Sequence, residues 1–233
     1  MFRYYYDPTY ILVIIGVVIS MLASARVNSV FNRYSRVRSR LGMTGKEAAE
    51  RILRANGIYD VQVRHISGNL TDHYDPRNKT LSLSDTVYGS ASVAAIGVAA
   101  HECGHAVQHS VGYAPLKIRG ALVPAANFGS AISWPLIIIG LLISGDASLI
   151  FINLGILLFS LAVLFHIVTL PVEFNASRRA VKALETGGML YGEEIKQTKA
   201  VLGAAAMTYV ASAASMILQL LRLILIGGRR RND

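Results

Sequence analysis

Apolar runs separated by polar stretches organise this chain and predict its elements. The first run, 10–25, reaches 20 residues when it is counted over 5–24, which is enough to cross a hydrocarbon core of about 30 Å. Tyrosines 4–6 suit the interfacial belt of such a span. Two more runs, 122–144 and 147–170, are separated by a few residues without Lys or Arg. These two runs predict a transmembrane helical hairpin.

A fourth apolar run, 200–226, supports two interpretations. Its first half is rich in Ala, Ser and Thr, and its second half carries Gln219 and Arg222. A span here would place the three arginines 229–231 outside, against the positive-inside rule. We therefore favour a helix that packs on the polar domain and the membrane surface over a fourth span.

The polar stretch 43–120 predicts a compact α+β domain. A capping box at Thr44 opens a helix with one apolar side. Alternating residues at 61–65 and 81–84 predict two short strands. A turn at 75–78 is expected to join them. From about residue 90, small apolar residues predict a second helix.

Composition agrees with a small membrane protein that carries a modest polar domain. Of the 233 residues, 53% are hydrophobic and 16% are charged, and the mean hydropathy is +0.44. This balance excludes a disordered chain and is too apolar for an ordinary soluble domain. A single cysteine, Cys103, excludes an intrachain disulfide framework and is expected to be buried. No pattern for a nucleotide or redox cofactor is present.

The distribution of charge predicts the orientation. Six basic and no acidic residues lie in 26–46, and Arg178, Arg179 and Lys182 follow the hairpin. The positive-inside rule therefore places the polar domain in the cytoplasm and the N-terminus outside. The net charge of +9 indicates loops beside an anionic leaflet, and no nucleic-acid partner is expected.

The second predicted helix runs into the pattern HECGH at 101–105. Residues four apart share a helix face, so His101 and His105 can present two imidazoles to one zinc ion. Glu102 then reaches the metal-bound water as general base and can return the proton to the leaving amine. This pattern is typical of zinc peptidases. The alternative is two histidines that merely pack along a helix.

A catalytic zinc usually has a third protein ligand. His109 repeats the four-residue spacing, but three successive histidines are too spread along a straight helix for one ion, so we place it behind the ligands or at the surface. Glu173 follows the hairpin and lies on the same predicted side of the membrane as His101. Glu185 stays an alternative, whereas Glu193 and Glu194 are expected on a solvated face.

These residues carry a resemblance. The stretch HECGHAVQH, a membrane hairpin and then LPVEFNASRRAVKAL resemble the YugP-like neutral zinc metallopeptidases of prokaryotic membranes, and DHYDPRNKTLSLS adds to the likeness. The chain is more distantly similar to HtpX-like membrane peptidases. The resemblance implies a gluzincin-type site with one Zn²⁺, in which His101, His105 and Glu173 are the ligands and Glu102 is the base.

Further residues are assigned weaker roles. In the HtpX-like pattern an Asp follows the Glu by four residues, and Ser177 stands there in this chain. Asn175 or Asp72 would then support a histidine. Candidates for stabilising the oxyanion, each of which is equally consistent with ordinary packing or a surface turn, are Tyr209, His73 and Arg178. Candidates for a strand that pairs with extended substrate are Thr80, Leu81, Ser82, Leu83 and Ser84.

The expected protein is a mainly α multi-pass membrane protein with a small α+β zincin-like domain. The expected regions are a first span (1–25), the HExxH domain (26–121), the hairpin (122–170), the third-ligand helix (171–199) and an apolar helix with a basic tail (200–233). The expected function is a zinc endopeptidase at the cytoplasmic face of a prokaryotic membrane, acting on peptide or membrane-protein substrates. The alternatives are a site-2-type intramembrane protease and a non-hydrolytic zinc scaffold. The sequence does not predict the oligomeric state.

Overall fold

The computed structural model describes residues 7–230, so the predicted belt of tyrosines 4–6 lies outside the described residues. The fold is mainly α with a small sheet, as predicted. Its elements in chain order are α1 (Tyr10–Tyr34), α2 (Gly45–Ala55), β1 (Gln62–His65), β2 (His73–Asp75), β3 (Thr80–Leu83), α3 (Asp85–Tyr88), α4 (Val93–Ser110), α5 (Ala114–Leu142), α6 (Asp146–Thr186) and α7 (Glu193–Arg230).

The chain divides into two compact units. The mixed unit comprises Ala23–Lys117 and Pro171–Thr208 and contains the whole sheet. The apolar unit comprises the described parts of Met1–Leu22, Ile118–Leu170 and Tyr209–Asp233. Each unit has its own cluster of buried apolar side chains.

Helix α2 begins as the sequence predicts. The Thr44 Oγ1 accepts a hydrogen bond from the Glu47 backbone N–H at 3.3 Å, and the Glu47 carboxylate accepts one from the Thr44 backbone N–H at 2.8 Å. This reciprocal pair is a complete capping box. The apolar side of the helix, which includes Ile52 and Leu53, is buried in the core of the mixed unit.

The sheet has the order β1-β3-β2. Strand β1 pairs with β3 in parallel, and β2 pairs with β3 antiparallel. The predicted connection is therefore wrong, because the turn at 75–78 joins β2 to β3 and not the two predicted strands. Strand β2 has only three residues, which is too short for an alternating pattern to reveal it.

Four of the described helices are long and apolar enough to cross a membrane, namely α1, α5, α6 and α7. The hairpin and the first predicted span fall on α5, α6 and α1. Helix α7 contains the run 200–226, for which we favoured a surface position. Arg222, which argued against a span, lies 3.5 Å from the Asp7 carboxylate and 4.0 Å from the ring centroid of Tyr10. These contacts offset its charge, and the topology of α7 stays a prediction.

Candidate metal centre

Helix α4 carries the HExxH pattern, as predicted. The helix begins after Ser92, whose hydroxyl accepts a hydrogen bond from the Ala95 backbone N–H at 3.2 Å. One helical turn separates His101 from His105, and their ring centroids lie 4.8 Å apart at an interplanar angle of 86°. The two imidazoles are therefore neighbours on one helix face.

Helix α6 supplies a carboxylate to these two histidines. The Glu173 Oε2 lies 3.3 Å from His101 Nε2 and 3.5 Å from His105 Nε2. One ligand atom from each of the three residues lies within 4.8 Å of the others. Glu173 is 2% exposed, and the imidazole side chains are each 13% exposed. The three groups thus form a compact, largely buried cluster.

Gly104 permits the two helices to approach closely enough for this cluster. A Cβ at position 104 would lie 2.5 Å from the Ala176 carbonyl oxygen, which is a backbone atom and cannot rotate away. Any larger residue would separate α4 from α6. The glycine inside the motif therefore helps to bring Glu173 to the histidines.

Both histidines have polar partners on their outer nitrogens. The His105 Nδ1 lies 3.0 Å from Gln108 Oε1, and the His101 Nδ1 lies 3.1 Å from Ser177 Oγ. The Gln108 amide nitrogen already donates to the Val172 carbonyl at 2.8 Å, so its oxygen accepts from His105. The Nδ1 of His105 is then the protonated nitrogen, and its Nε2 faces Glu173 with a lone pair in the neutral ring.

Gln108 also connects the two helices. Its side chain is completely buried, and its Nε2 donates to Asn175 Oδ1 at 3.0 Å. The same Asn175 oxygen accepts from Arg179 Nε at 2.7 Å. Asn175 therefore acts on His105 only through Gln108. The sequence interpretation missed Gln108, although its position three residues after His105 places it near the same helix face.

The electrostatics of the cluster favour a positive charge. Burial alone would lower the pKa of His105. In the protonated ring, however, Nε2–H donates to Glu173, and this hydrogen bond and the charges of Glu102 and Glu173 outweigh burial, so the pKa is raised. Two imidazole nitrogens and one carboxylate oxygen are a donor set that suits zinc. Glu102, beside His101, is 8% exposed.

Other predicted residues of α4 and α7 lie apart from this cluster. His109 is hydrogen-bonded to the Tyr74 hydroxyl at 2.8 Å and lies at the surface, as expected. Cys103 is buried, which raises the pKa of its thiol. The prediction for Glu194 is wrong, because it is 6% exposed and accepts a hydrogen bond from the Arg40 backbone N–H at 2.7 Å. Glu193 is exposed and pairs with a neighbouring lysine.

Several weaker candidates have partners elsewhere. Asp72 accepts hydrogen bonds from the backbone and hydroxyl of Ser84, at 2.8 and 2.9 Å, so it supports the end of β3. The His73 Nδ1 lies 2.9 Å from the Thr71 carbonyl oxygen. Arg178 is exposed on α6, and Tyr209 belongs to the apolar unit. Their roles stay predictions.

The predicted substrate strand is not available for pairing. Strand β3, with Thr80, Leu81, Ser82 and Leu83, lies between β1 and β2, and all four residues are buried. Both of its edges are occupied, so the prediction that it adds an extended substrate is wrong. Ser84 follows it as the residue before α3. In the described sheet the free edges belong to β1 and β2.

Comparison with known proteins also points to a zinc peptidase. A family described as "Putative neutral zinc metallopeptidase" matches residues 9–228. The chain is 45% identical over 216 residues to "Putative membrane protease YugP" of Bacillus subtilis (strain 168), which covers 92% of this chain and 95% of that protein. No solved structure shows a significant match. The chain therefore belongs to the neutral zinc metallopeptidase family.

Proposed function

We propose that the protein is a membrane zinc endopeptidase of the gluzincin type. The observation that carries the proposal is the convergence of His101 and His105 from α4 with Glu173 from α6. Family membership supports a zinc protease, and the four apolar helices support a membrane location. The substrates are peptides or membrane-protein segments.

One zinc ion per chain is held by His101, His105 and Glu173. When bound, zinc acts as a Lewis acid that activates a water molecule and polarises the scissile carbonyl. The chain's own residues prepare the site for it. Gln108 and Ser177 hold the two imidazole rings in place through hydrogen bonds to their Nδ1 atoms. The side chain of Glu173 is buried, so its ligand oxygen is shielded from solvent.

Glu102 is the catalytic base. It follows His101 directly on α4 and is largely buried, where a carboxylate interacts strongly with nearby charges. It takes a proton from the attacking water and later donates that proton to the leaving nitrogen. Because a purely structural zinc site needs no base, Glu102 also argues against the scaffold alternative.

The free edge of β2 is the candidate for pairing with an extended substrate. Tyr74 of β2 reaches His109, which lies one helical turn beyond His105. Strand β2 is thereby attached to the motif helix next to the metal ligands. Backbone hydrogen bonds along such an edge hold a peptide without regard to its side chains.

The assignment of Glu102 is tested by Glu102→Gln with Glu185→Gln as the matched control. We expect Glu102→Gln to lower cleavage by about 10²- to 10⁴-fold, the usual contribution of a general base, and to retain zinc by metal analysis. Glu185 is exposed on α6, and its substitution should leave both properties intact. Unchanged cleavage by Glu102→Gln would refute the role of the base. Absence of zinc from the purified wild-type protein would refute the metallopeptidase.

We further propose that the mixed unit faces the cytoplasm. Six basic and no acidic residues in 26–46 support this orientation. The motif helix α4 is not among the four described helices that could cross a membrane, which counts against the intramembrane alternative.

Labelling of single cysteines tests the orientation. Tyr59 of the mixed unit is 81% exposed, and the native Cys103 is buried, so Tyr59→Cys offers a clean site. We expect an impermeant maleimide to label Tyr59→Cys only after cells are opened. It should label Asp146→Cys, in the exposed turn between the two hairpin runs, in intact cells. The reverse pattern would overturn the orientation without affecting the metal site.

A further inference from the structure

A cavity of about 470 Å³ lies within the mixed unit where α2, α4 and α6 meet. Helix α4 lines it with Ala100, Gly104 and Val107. At 100° per residue this face is roughly 110° round the helix from the midpoint of His101 and His105. Neither histidine lines the cavity. The cavity is therefore distinct from the metal cluster, although both share α4.

The wall of the cavity carries three cations. Arg179 and Lys182 are three residues apart on α6 and hence lie side by side on its surface. Arg51 stands on α2, and its Nη2 donates to the Gly187 carbonyl at 2.9 Å, beyond the end of α6. The described lining contains no carboxylate. Three cations in a lining that contains no acid favour an anionic ligand.

Two acids, Glu50 and Glu185, stand close to these cations in the sequence but are not part of the cavity lining. Helical geometry places Glu50 on the face of α2 opposite the lining residues, where it pairs with Arg54 at 3.1 Å. Glu185 stands three residues after Lys182, so it lies beside that lysine on the surface of α6 but outside the cavity lining. Among the described residues no acid lies within 4.0 Å of any of the three cavity cations as an ion pair, so these cations are open to an anionic ligand.

The apolar residues of the lining indicate that the ligand also has apolar groups. Ile52, Ala55, Val107 and Met189 provide an apolar floor, and the volume falls in the range of ordinary ligand sites. Guanidinium groups bind carboxylates with paired hydrogen bonds. The cations stand on two different helices, so a ligand with several separated carboxylates matches better than one with a single anionic group.

We infer that this cavity binds an acidic peptide segment that carries aliphatic side chains. The peptide places carboxylates against Arg51, Arg179 and Lys182 and its aliphatic groups on the floor. The inference does not depend on peptidase activity, since binding requires no cleavage. It does have a consequence for the metal site, because Arg179 also donates to Asn175, the partner of Gln108.

The test uses the full chain with Glu102→Gln in neutral-lipid nanodiscs, so that the probe stays intact. The probe is a fluorescein-labelled hexapeptide of alternating glutamate and leucine, followed by fluorescence anisotropy. We expect Arg51→Gln with Lys182→Gln to weaken binding by about tenfold or more, because charge-assisted hydrogen bonds are lost. The matched control is Arg54→Gln with Lys199→Gln, which removes the same charge from outside the cavity and should change binding less than about twofold.

Three results would overturn the inference. The first is no binding of the hexapeptide, and the second is equal weakening by the cavity pair and the control pair. The third is a loss of binding to phosphatidylglycerol vesicles in the cavity pair with unchanged peptide binding, since a lipid would then be the occupant. Thermal melting of both pairs verifies that the exposed substitutions leave the fold intact. A falling affinity with added salt would support the charge-based contact.

Discussion

Two pairs of helices, one in each unit, meet through a glycine in almost the same way. A Cβ on Gly104 would lie 2.5 Å from the Ala176 carbonyl oxygen in the mixed unit. A Cβ on Gly129 would lie 2.5 Å from the Leu158 carbonyl oxygen in the apolar unit. The first contact is flanked by buried ionisable groups, such as Glu173. The second belongs to a part of the chain whose buried residues are apolar or hydroxylated.

This difference indicates that a close glycine contact only brings two helices together. Whether a metal site forms there depends on the side chains beside the contact. Burying a carboxylate between two imidazoles is unfavourable unless each group is hydrogen-bonded and the charges are balanced. Gln108 and Ser177 supply hydrogen bonds to the imidazoles in the mixed unit. A bound cation would complete the balance of charge.

Among the substitutions that test this comparison, Glu173→Gln should lower zinc affinity the most. A carboxamide keeps the volume of the side chain but lacks the negative charge of the ligand. We expect zinc affinity to fall by more than about 100-fold, beyond the usual effect of changing a group behind a ligand. Competition with a chelator measures it, with Glu185→Gln as the control on the same helix. Wild-type affinity in Glu173→Gln would exclude Glu173 as a ligand.

Gly104→Ala and Gly129→Ala compare the two contacts directly. Each adds a methyl group against a carbonyl oxygen, and we expect each to lower stability by about 1–3 kcal/mol, the usual cost of overpacking. Only Gly104→Ala should also weaken zinc binding, by tens of fold, because it moves α4 away from Glu173. Thermal melting and chelator competition separate the two outcomes. Equal loss of zinc from both variants would contradict the comparison.

Gln108→Ala should lower zinc affinity by an intermediate amount. It removes the acceptor of His105 and the donor to the Val172 carbonyl, so zinc affinity should fall by about tenfold, the lower end for such partners. Gln197 of α7 is a suitable control because its Oε1 has no hydrogen-bond partner among the described residues. Gln197→Ala should leave zinc affinity unchanged. A similar result for the two glutamines would show that Gln108 does not position His105.

Ser177→Ala should lower zinc affinity the least. It removes one neutral hydrogen bond to His101, which is worth about 0.5–1.5 kcal/mol, or roughly two- to tenfold in affinity. Ser160→Ala is the control on α6, because the Ser160 hydroxyl donates only to the Leu157 carbonyl of its own helix. A loss as large as that of Gln108→Ala would mean that Ser177 has a further role.

Two of the three clustered residues were predictable because their spacing is local. His101 and His105 follow from helical periodicity. The place of Glu173 after the hairpin left Glu185 as an alternative, and the family resemblance favoured Glu173. Gln108 was not singled out because glutamine has no charge and many roles, so only its bond to His105 identifies it. The capping box at Thr44 was equally predictable, since it too depends on residues three apart.

The sheet was less predictable, because strand order is a non-local property. Alternation revealed β1 and β3 but carries no information about which strand lies in the centre. Strand β2 pairs with the edge of β3 that we had assigned to the substrate, so that edge is occupied. The partner of Arg222 was unpredictable for a similar reason, since Asp7 is 215 residues away in the sequence.

The uncharged partners of the two histidines have a consequence for the electronic character of the centre. Gln108 and Ser177 hold the imidazoles with a carboxamide and a hydroxyl, so neither pushes electron density through its ring as a carboxylate would. A divalent ion held by these histidines would therefore receive less electron density than one whose histidines are backed by carboxylates. It would polarise a bound oxygen more strongly, and it would be released more readily.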